Sequence, residues 1–233
     1  MSTLSYAEIF AREAALIGQA GVKKLAAASV AVCGLGGVGS YLVEALARSA
    51  IGKLLLIDFD QVAVSNINRQ LCALSSTVGR DKADVIAERI REINPFCELR
   101  IAKVFIDENI PFPELLAGID YIGDAIDYVP GKIALIEYAY QQQIPIIAAM
   151  GAGRRLDPSK LMIADIAKTY GCPLAKNIRK RLRERGIYSG VKVVFSTEPP
   201  LPTEGDELGS MAFVPAVAGM MMAAQIVRDI LDG

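Results

Sequence analysis

Residues 29–60 constrain the fold of this chain most, because they place a glycine-rich turn between two short apolar segments. Their sequence is SVAVCGLGGVGSYLVEALARSAIGKLLLIDFD. The apolar runs 30–33 and 53–57 have the length and composition of buried parallel strands. Between them lies a G-x-G-x-x-G turn with one extra glycine, comprising Gly34, Gly36, Gly37 and Gly39. A helix is predicted to follow, from about residue 37 to residue 49.

This strand–turn–helix–strand unit is typical of a nucleotide-binding site. Glycines let the backbone approach a phosphate without a Cβ in the way. The unpaired N–H groups and the dipole at the start of the helix favour an anion there. Asp58 ends the second strand, where an acid usually binds a ribose hydroxyl. We therefore expect the four glycines and Asp58 to bind a nucleotide, although the motif does not specify which one.

The composition limits the chemistry available at such a site. The 233 residues include no histidine, so this chain can form no His-based triad, His general base or His-ligated metal site. Its four cysteines form no C-x-x-C pair, so we expect no zinc and a reduced, cytoplasmic protein. The N-terminal segment carries acids and does not resemble a secretory signal. With 25 basic and 26 acidic residues, any basic surface must be local.

Repeated strand and helix patterns predict an α/β fold in a single domain. We expect a doubly wound, Rossmann-like, mostly parallel sheet with N-terminal helices and a C-terminal α+β extension. The predicted parts are N-terminal helices (1–28) with a break near Gly18, a nucleotide-binding core (29–153), and a substrate-binding and C-terminal extension (154–233). Further strands are predicted at 97–105, 119–123, 144–150, 161–166 and 191–196. Further helices are predicted at 81–93, 112–117, 130–142 and 173–185.

Several polar side chains follow the predicted strands, where open α/β sheets bind ligands. Asn66 and Arg69 lie in the polar segment SNINRQ. Lys82 opens a helix and opposes its dipole, which favours a bound anion over an ordinary surface position. Asp127 can be a ligand-binding acid, the N-cap of the next helix, or both.

These groups suit ATP. Arg69 and Lys82 would neutralise the departing pyrophosphate, and Asp127 would hold Mg²⁺. The set fits attack of a carboxylate on the α-phosphate, which depends on positioning and fixed charge more than on proton transfer.

The predicted helix 173–185 is strongly basic. Six basic residues and one acid fall within ten positions, 176–185. A solvated face is the ordinary explanation of a charge run, but this density favours a site for a polyanion. The side chains that we expect to contact it are Lys176, Arg179, Lys180 and Arg183.

Two C-terminal segments have unusual compositions. Prolines in 197–209 predict a mobile loop. Residues 208–227 carry no charge and are long enough to span a bilayer. Pro215, Gln225 and many small residues instead favour a buried helix or one packed on another subunit. Peripheral membrane contact through this helix is the alternative, and integral insertion is not favoured.

The chain resembles a known group of enzymes. GLGGVGS, LLIDFDQVAVSNINRQ, TVGRDKAD and DAIDYVPGK resemble the ubiquitin-activating-enzyme-like adenylating superfamily, which includes the molybdopterin-synthase and thiamine-pathway adenylyltransferases. FAREAALIGQAGVKKL, LMIADIAKT, RKRLRERGI and VKVVFSTEPP are similar to its tRNA threonylcarbamoyladenosine dehydratases. The resemblance covers nearly the whole chain.

The resemblance implies a role for each site residue. The glycines would bind the ATP phosphates, Asp58 the ribose, and Asp127 would lie near magnesium. Arg69 and Lys82 correspond to family active-site cations. Arg12 would reach the triphosphate of a neighbouring subunit, which makes a homodimer part of the active site.

The reaction implied is activation of the threonylcarbamoyl carboxylate on a tRNA adenosine beside the anticodon. The carbamoyl group would then attack the adenylate, close a ring and release AMP. A monovalent cation and a cysteine desulfurase are further possible partners.

Three other functions remain open at this stage. An activator of a ubiquitin-like sulfur-carrier protein fits the nucleotide residues, but the paired C-x-x-C zinc ligands of that group are missing. A nicotinamide-dependent dehydrogenase explains Asp58 but leaves Arg69, Lys82 and Asp127 without a task. A non-catalytic regulator would bind nucleotide without turnover. Cys172, just before the basic helix, is either a reactive thiol or a packed spectator.

Overall fold

Seven strands in the described part of the chain form one sheet in the order β3-β2-β1-β4-β5-β7-β6. The computed structural model describes residues 4–202 and 208–233. The strands are β1 Ser29–Cys33, β2 Lys53–Ile57, β3 Glu98–Ala102, β4 Tyr121–Asp124, β5 Ile146–Ala149, β6 Leu161–Asp165 and β7 Lys192–Ser196. All neighbours pair in parallel except β6, which is antiparallel to β7. The predicted mostly parallel α/β sheet is confirmed.

Helices cover both faces of the sheet. They are α1 Tyr6–Ile9, α2 Ala11–Ala27, α3 Gly39–Arg48, α4 Lys82–Ile93, α5 Phe112–Leu115, α6 Val129–Gln141, α7 Pro173–Glu184 and α8 Phe213–Asp232. Successive strand residues point to opposite faces, so Val30 and Val32 pack with α3, α4 and α8. Ala31 and Cys33 pack with α5, α6 and α7 on the other face. The doubly wound prediction is therefore confirmed.

Local signals in the sequence account for several element boundaries. Gly18 adopts φ 73° and interrupts α2, which confirms the predicted break between two N-terminal helices. In α7, the buried stripe is Ala175, Ile178 and Leu182, and the neighbouring Leu174 is only partly buried. The prediction of a mobile loop over 197–209 falls partly on residues 203–207, which lie outside the described part of the chain.

Helix α8 packs along α3. Its side chains Val214, Ala218, Met222 and Ile226 recur every four residues and are buried. At Gly219 a Cβ would lie 2.4 Å from the Val38 carbonyl oxygen, so the two helices meet backbone to backbone. This packing fits the expected buried helix. Among the described helices, α8 is the one that has the length and composition to cross a membrane. Its peripheral membrane contact stays a prediction.

A buried ion pair joins the end of β4 to α6. Lys132 Nζ lies 2.8 Å from Asp124 Oδ2, and both side chains are completely buried. The other carboxylate oxygen, Oδ1, accepts a hydrogen bond from the Ile126 N–H at 3.0 Å. Burial raises the pKa of Asp124, and the Lys132 ammonium opposes that rise. The sequence did not reveal this pair, which fixes the loop between β4 and α6.

Replacing Lys132 should expose the importance of this pair for stability. Lys132→Met leaves the Asp124 carboxylate buried without a counter-charge, so we expect the free energy of unfolding to fall by about 3–5 kcal/mol. Urea denaturation followed by circular dichroism measures the change. The double variant Asp124→Asn, Lys132→Met removes the unpaired charge and should recover much of the loss. A loss below about 1 kcal/mol for Lys132→Met, the range of an exposed pair, would contradict this role.

Candidate active site

A cavity of about 620 Å³ opens at the carboxyl edge of the sheet. Its walls come from the loops that follow β1, β2, β4 and β5. The chain builds β2 and β3 on one side of β1 and then crosses to β4 on the other side. Open α/β sheets bind ligands at this kind of reversal in strand order. The cavity therefore lies where the sequence places a nucleotide.

The glycine turn has room for backbone only. Gly34 adopts φ 85°, and a Cβ on it would lie 2.8 Å from the Ala125 carbonyl oxygen. A Cβ on Gly39 would lie 1.7 Å from the Gly34 carbonyl oxygen. Gly34, Gly36 and Gly37 line the cavity, but Gly39 does not. Gly39 lets α3 pack against the turn, and its phosphate contact stays a prediction.

Asp58 lies at the cavity wall, where its orientation is fixed by backbone amides. Its Oδ2 accepts from the Leu35 N–H at 2.6 Å, and its Oδ1 accepts from the Asp60 N–H at 2.8 Å. Burial raises the pKa of Asp58, while these two hydrogen bonds oppose the rise. Each carboxylate oxygen has a second lone pair, so Asp58 can also accept from the hydroxyls of a ribose.

Lys82 is buried in the cavity wall rather than on the surface. Only 5% of the residue is exposed, and its Nζ lies 2.8 Å from Asp60 Oδ2. Its backbone N–H also donates to the Asp60 carbonyl oxygen at 3.0 Å. The alternative of an ordinary surface lysine is therefore wrong. Asp60 was not among the expected site residues, although the D-F-D spacing puts Asp58 and Asp60 on one short loop.

Asn66 and Arg69 share the loop after β2. Asn66 is 9% exposed, and its Oδ1 accepts from the Ala63 N–H at 3.0 Å. Arg69 Nη1 donates to the Ser65 carbonyl oxygen at 2.8 Å and to Asn68 Oδ1 at 2.9 Å. Both residues line the cavity. The structure thus brings together Asn66, Arg69 and Lys82.

Asp127 projects from the loop after β4 and lines the cavity. It does not cap α6, because that helix begins at Val129 and its N-cap is Tyr128. This corrects the capping alternative and leaves an exposed carboxylate at the cavity. Within residues 4–202 and 208–233, no group of three or more Cys, Asp or Glu residues could hold a metal by itself.

Three exposed aromatic side chains form one edge of the cavity. Phe59, Phe105 and Tyr128 are 54%, 41% and 40% exposed. The Phe105 ring lies 4.8 Å from that of Phe59 and 4.9 Å from that of Tyr128, between centroids. They follow three different strands, so no sequence motif reveals the cluster. Exposed aromatic faces of this kind can stack on a nucleobase.

Several predicted residues lie away from the cavity. Arg12 is exposed on α2 and does not line it. Lys176, Lys180 and Arg183 are exposed on α7. Arg179 is only partly exposed, and its Nη1 donates to the Thr169 carbonyl oxygen at 2.8 Å. Arg179 therefore holds the loop before α7, a structural contact that the charge pattern did not indicate.

Cys172 is 4% exposed and lines the cavity just before α7. Its burial fits a packed thiol. Because it lies in the cavity wall, a reactive thiol stays the alternative prediction.

Comparison with known proteins identifies the family. Residues 10–232 match the ThiF family. A tRNA threonylcarbamoyladenosine dehydratase from Bacillus subtilis (strain 168) is 43% identical, and the match covers 95% of this chain and 94% of that protein. The enzyme of the same name from Haemophilus influenzae is 39% identical, over 89% of this chain and 87% of the relative.

Solved structures give the same result. Crystal structures of the Escherichia coli tRNA N6-threonylcarbamoyladenosine dehydratase, one with AMP and one with ATP, superpose with a TM-score of 0.92. Each is 37% identical in sequence, and the match covers 100% of this chain and 97% of that chain. The chain therefore belongs to the ThiF family and, within it, to the tRNA threonylcarbamoyladenosine dehydratases.

Proposed function

We propose that the protein uses ATP to cyclise N6-threonylcarbamoyladenosine in tRNA through a carboxyl-adenylate. The combination of groups in the cavity is the main support for this proposal. A single cavity combines a glycine turn, the Asp58 carboxylate and the cations Arg69 and Lys82, in a chain that has no histidine for proton transfer. Its E. coli relative, described with ATP and with AMP, supports the choice of nucleotide.

The cavity wall offers a group for each part of ATP. Its phosphates would lie on Gly34, Gly36 and Gly37, because α3 has no side-chain cap and its N-terminus favours an anion. The ribose would donate to Asp58. The adenine would lie against the rings of Phe59 and Phe105. Phe59 directly follows Asp58 in the chain.

Lys82 and Arg69 supply fixed positive charge in this arrangement. An ammonium has three donors, so Lys82 can keep its contact with Asp60 and still donate to a phosphate oxygen. Because the residue is 5% exposed, its charge acts through a medium that screens less than water. Arg69 adds a second cation from the loop between β2 and α4. Together they stabilise the charge that develops as pyrophosphate departs.

The reaction proceeds in two displacements. A carboxylate oxygen of the threonylcarbamoyl group attacks the α-phosphorus, and the bond from that phosphorus to pyrophosphate breaks. The carbamoyl group then attacks the activated carbonyl carbon, loses a proton, and displaces AMP as the ring closes. The substrate loses the elements of water, and ATP becomes AMP and pyrophosphate. Both steps depend mainly on holding the reacting groups close together.

Asp127 is the residue that would hold Mg²⁺. It is an exposed carboxylate on the cavity wall, and Mg²⁺ is usually bound by one or two carboxylates together with substrate phosphates and water. When bound, Mg²⁺ would neutralise charge on the phosphate oxygens. Asp127 would orient the triphosphate through that ion.

A second copy of the chain would complete the site with Arg12. Arg12 is exposed and does not line the cavity of its own chain. On the same helix, Leu16 is 85% exposed, and Val64 and Ile67 beside the nucleotide loop are 70% and 44% exposed. Apolar side chains exposed this strongly favour a protein interface. A symmetric dimer through these residues would carry the partner's α2 to the cavity.

The tRNA would dock on α7. Lys176, Lys180 and Arg183 are exposed on one helix, and α7 begins at the cavity wall. Phosphates bound along this helix would place an anticodon-loop nucleotide at the cavity.

The proposed reaction is tested by nucleoside analysis of treated tRNA. We expect incubation of threonylcarbamoyl-modified tRNA with protein, ATP and Mg²⁺ to yield a nucleoside lighter by one water, with one AMP per product. Mass spectrometry under mild conditions detects both. Lys82→Ala should slow the reaction by about 10²–10³-fold while keeping the circular dichroism and melting temperature of the wild type. No cyclic product from wild-type protein, or wild-type turnover by Lys82→Ala, would contradict the proposal.

Mixing inactive variants tests the shared site. In a heterodimer of Arg12→Ala and Asp127→Ala chains, one of the two cavities is intact. A statistical mixture of dimers should therefore regain about a quarter of wild-type activity. Mixing Asp127→Ala with Lys82→Ala is the matched control, because both changes damage the cavity of their own chain and no rescue is expected. Absence of rescue in verified Arg12→Ala/Asp127→Ala heterodimers would argue against sharing.

A further inference from the structure

Arg155 is a buried cation in the cavity that the proposed roles leave unused. It is 3% exposed and lies in the loop after β5. Its Nε donates to the Glu198 carbonyl oxygen at 3.1 Å, and its Nη1 donates to the Gly153 carbonyl oxygen at 3.1 Å. Its Nη2 is buried and has no hydrogen-bond partner in residues 4–202 or 208–233. A buried guanidinium N–H without an acceptor is unfavourable, and Arg155 makes no ion pair within these residues, so this position favours an anionic ligand.

The first turn of α7 borders the same space. A Cβ built on Gly151 would lie 3.2 Å from Arg155 Nη1, 3.6 Å from Cys172 Sγ and 3.8 Å from Leu174 Cβ. The guanidinium and the start of the helix therefore face a common point in the cavity. No side chain caps this 12-residue helix. Its first N–H groups have no intrahelical partner, and its dipole favours an anion.

We propose that Arg155 and the first turn of α7 bind the carboxylate of the substrate's threonylcarbamoyl group. This inference rests on the proposed function and names the subsite for the group that is activated. A guanidinium can hold one oxygen of a carboxylate and leave the other free to attack the α-phosphorus. Arg155 and the glycine turn line one cavity, which brings both reactants into a single space.

A phosphate of the tRNA backbone is the other possible source of an anion. A phosphodiester is flanked by two riboses, whereas Arg155 is almost completely buried. The threonylcarbamoyl group is a slender side arm that ends in its carboxylate. It can reach a recessed cation that the backbone cannot, so the burial of Arg155 favours the carboxylate.

The test compares two tRNAs of one sequence, with and without the threonylcarbamoyl group. The affinity of the full chain for each is measured with a non-hydrolysable ATP analogue present. We expect wild-type protein to prefer the modified tRNA. Arg155→Met should weaken that complex by about tenfold and leave the affinity for unmodified tRNA unchanged. Arg155→Lys keeps the charge but not the planar guanidinium. Its affinity for modified tRNA should lie between those of the wild type and Arg155→Met.

Two further variants calibrate the result. Lys176→Glu with Lys180→Glu removes proposed phosphate contacts, so it should weaken binding of both tRNAs by the same factor. Arg100→Met is the matched control. Arg100 also donates to two backbone carbonyl oxygens, of Ala117 and Leu115, but it does not line the cavity, so neither affinity should change.

Equal weakening of both tRNAs by Arg155→Met would assign the anion to a phosphate and overturn the proposal. Unchanged affinity for both would also overturn it. If Arg155→Met does not fold, Arg155→Lys decides: it must reduce the preference for modified tRNA, and a wild-type preference refutes the proposal. Product formation by wild-type protein distinguishes failure of the proposed function from failure of the Arg155 subsite alone. Wild-type protein that forms no cyclic nucleoside refutes the proposed function, whereas active protein with an Arg155-independent preference refutes only this subsite.

Discussion

The site depends on a contact that allows no side chain, the approach of α3 to the glycine turn. A Cβ at Gly39 would lie 1.7 Å from the Gly34 carbonyl oxygen, and one at Gly34 would lie 2.8 Å from the Ala125 carbonyl oxygen. Three segments therefore meet as bare backbone: the turn after β1, the start of α3 and the loop after β4. This contact points the N-terminus of α3 at the cavity and sets Asp58 on one side of it and Asp127 on the other.

Around this contact, the protein uses charges whose positions are fixed rather than groups that exchange protons. Lys82 is held by Asp60, Asp58 by two backbone amides, and Asp124 by Lys132 beneath the loop that carries Asp127. Groups already oriented need no reorganisation as charge develops. A chain without histidine is suited to a reaction in which adenylation makes the carboxylate reactive. Arg155 would be another such fixed charge, the cation that binds the substrate carboxylate.

The sequence predicted the fold and most of the cavity because both follow from local patterns. The glycine spacing, the apolar runs and the acid after β2 indicated the doubly wound sheet, the turn and Asp58. The contacts Asp60–Lys82 and Asp124–Lys132 and the aromatic edge are tertiary. They join residues from separate loops and helices, so the helix and strand periodicity of the sequence does not indicate them. The packing contacts of Gly39 and Arg179 were also hidden, because composition cannot distinguish a packing contact from a binding contact. No sequence pattern singles out Arg155, because its burial is set by tertiary packing.

Every proposed role in the cavity depends on the attack of a substrate carboxylate on the α-phosphorus of ATP. Isotope transfer follows this step. The tRNA is prepared with ¹⁸O in both oxygens of the threonylcarbamoyl carboxylate and is then incubated with protein, unlabelled ATP and Mg²⁺. Each AMP released should carry one ¹⁸O atom, because the oxygen that joins the carbonyl carbon to phosphorus leaves with AMP. Label in pyrophosphate or inorganic phosphate, or unlabelled AMP formed together with cyclic product, would contradict it.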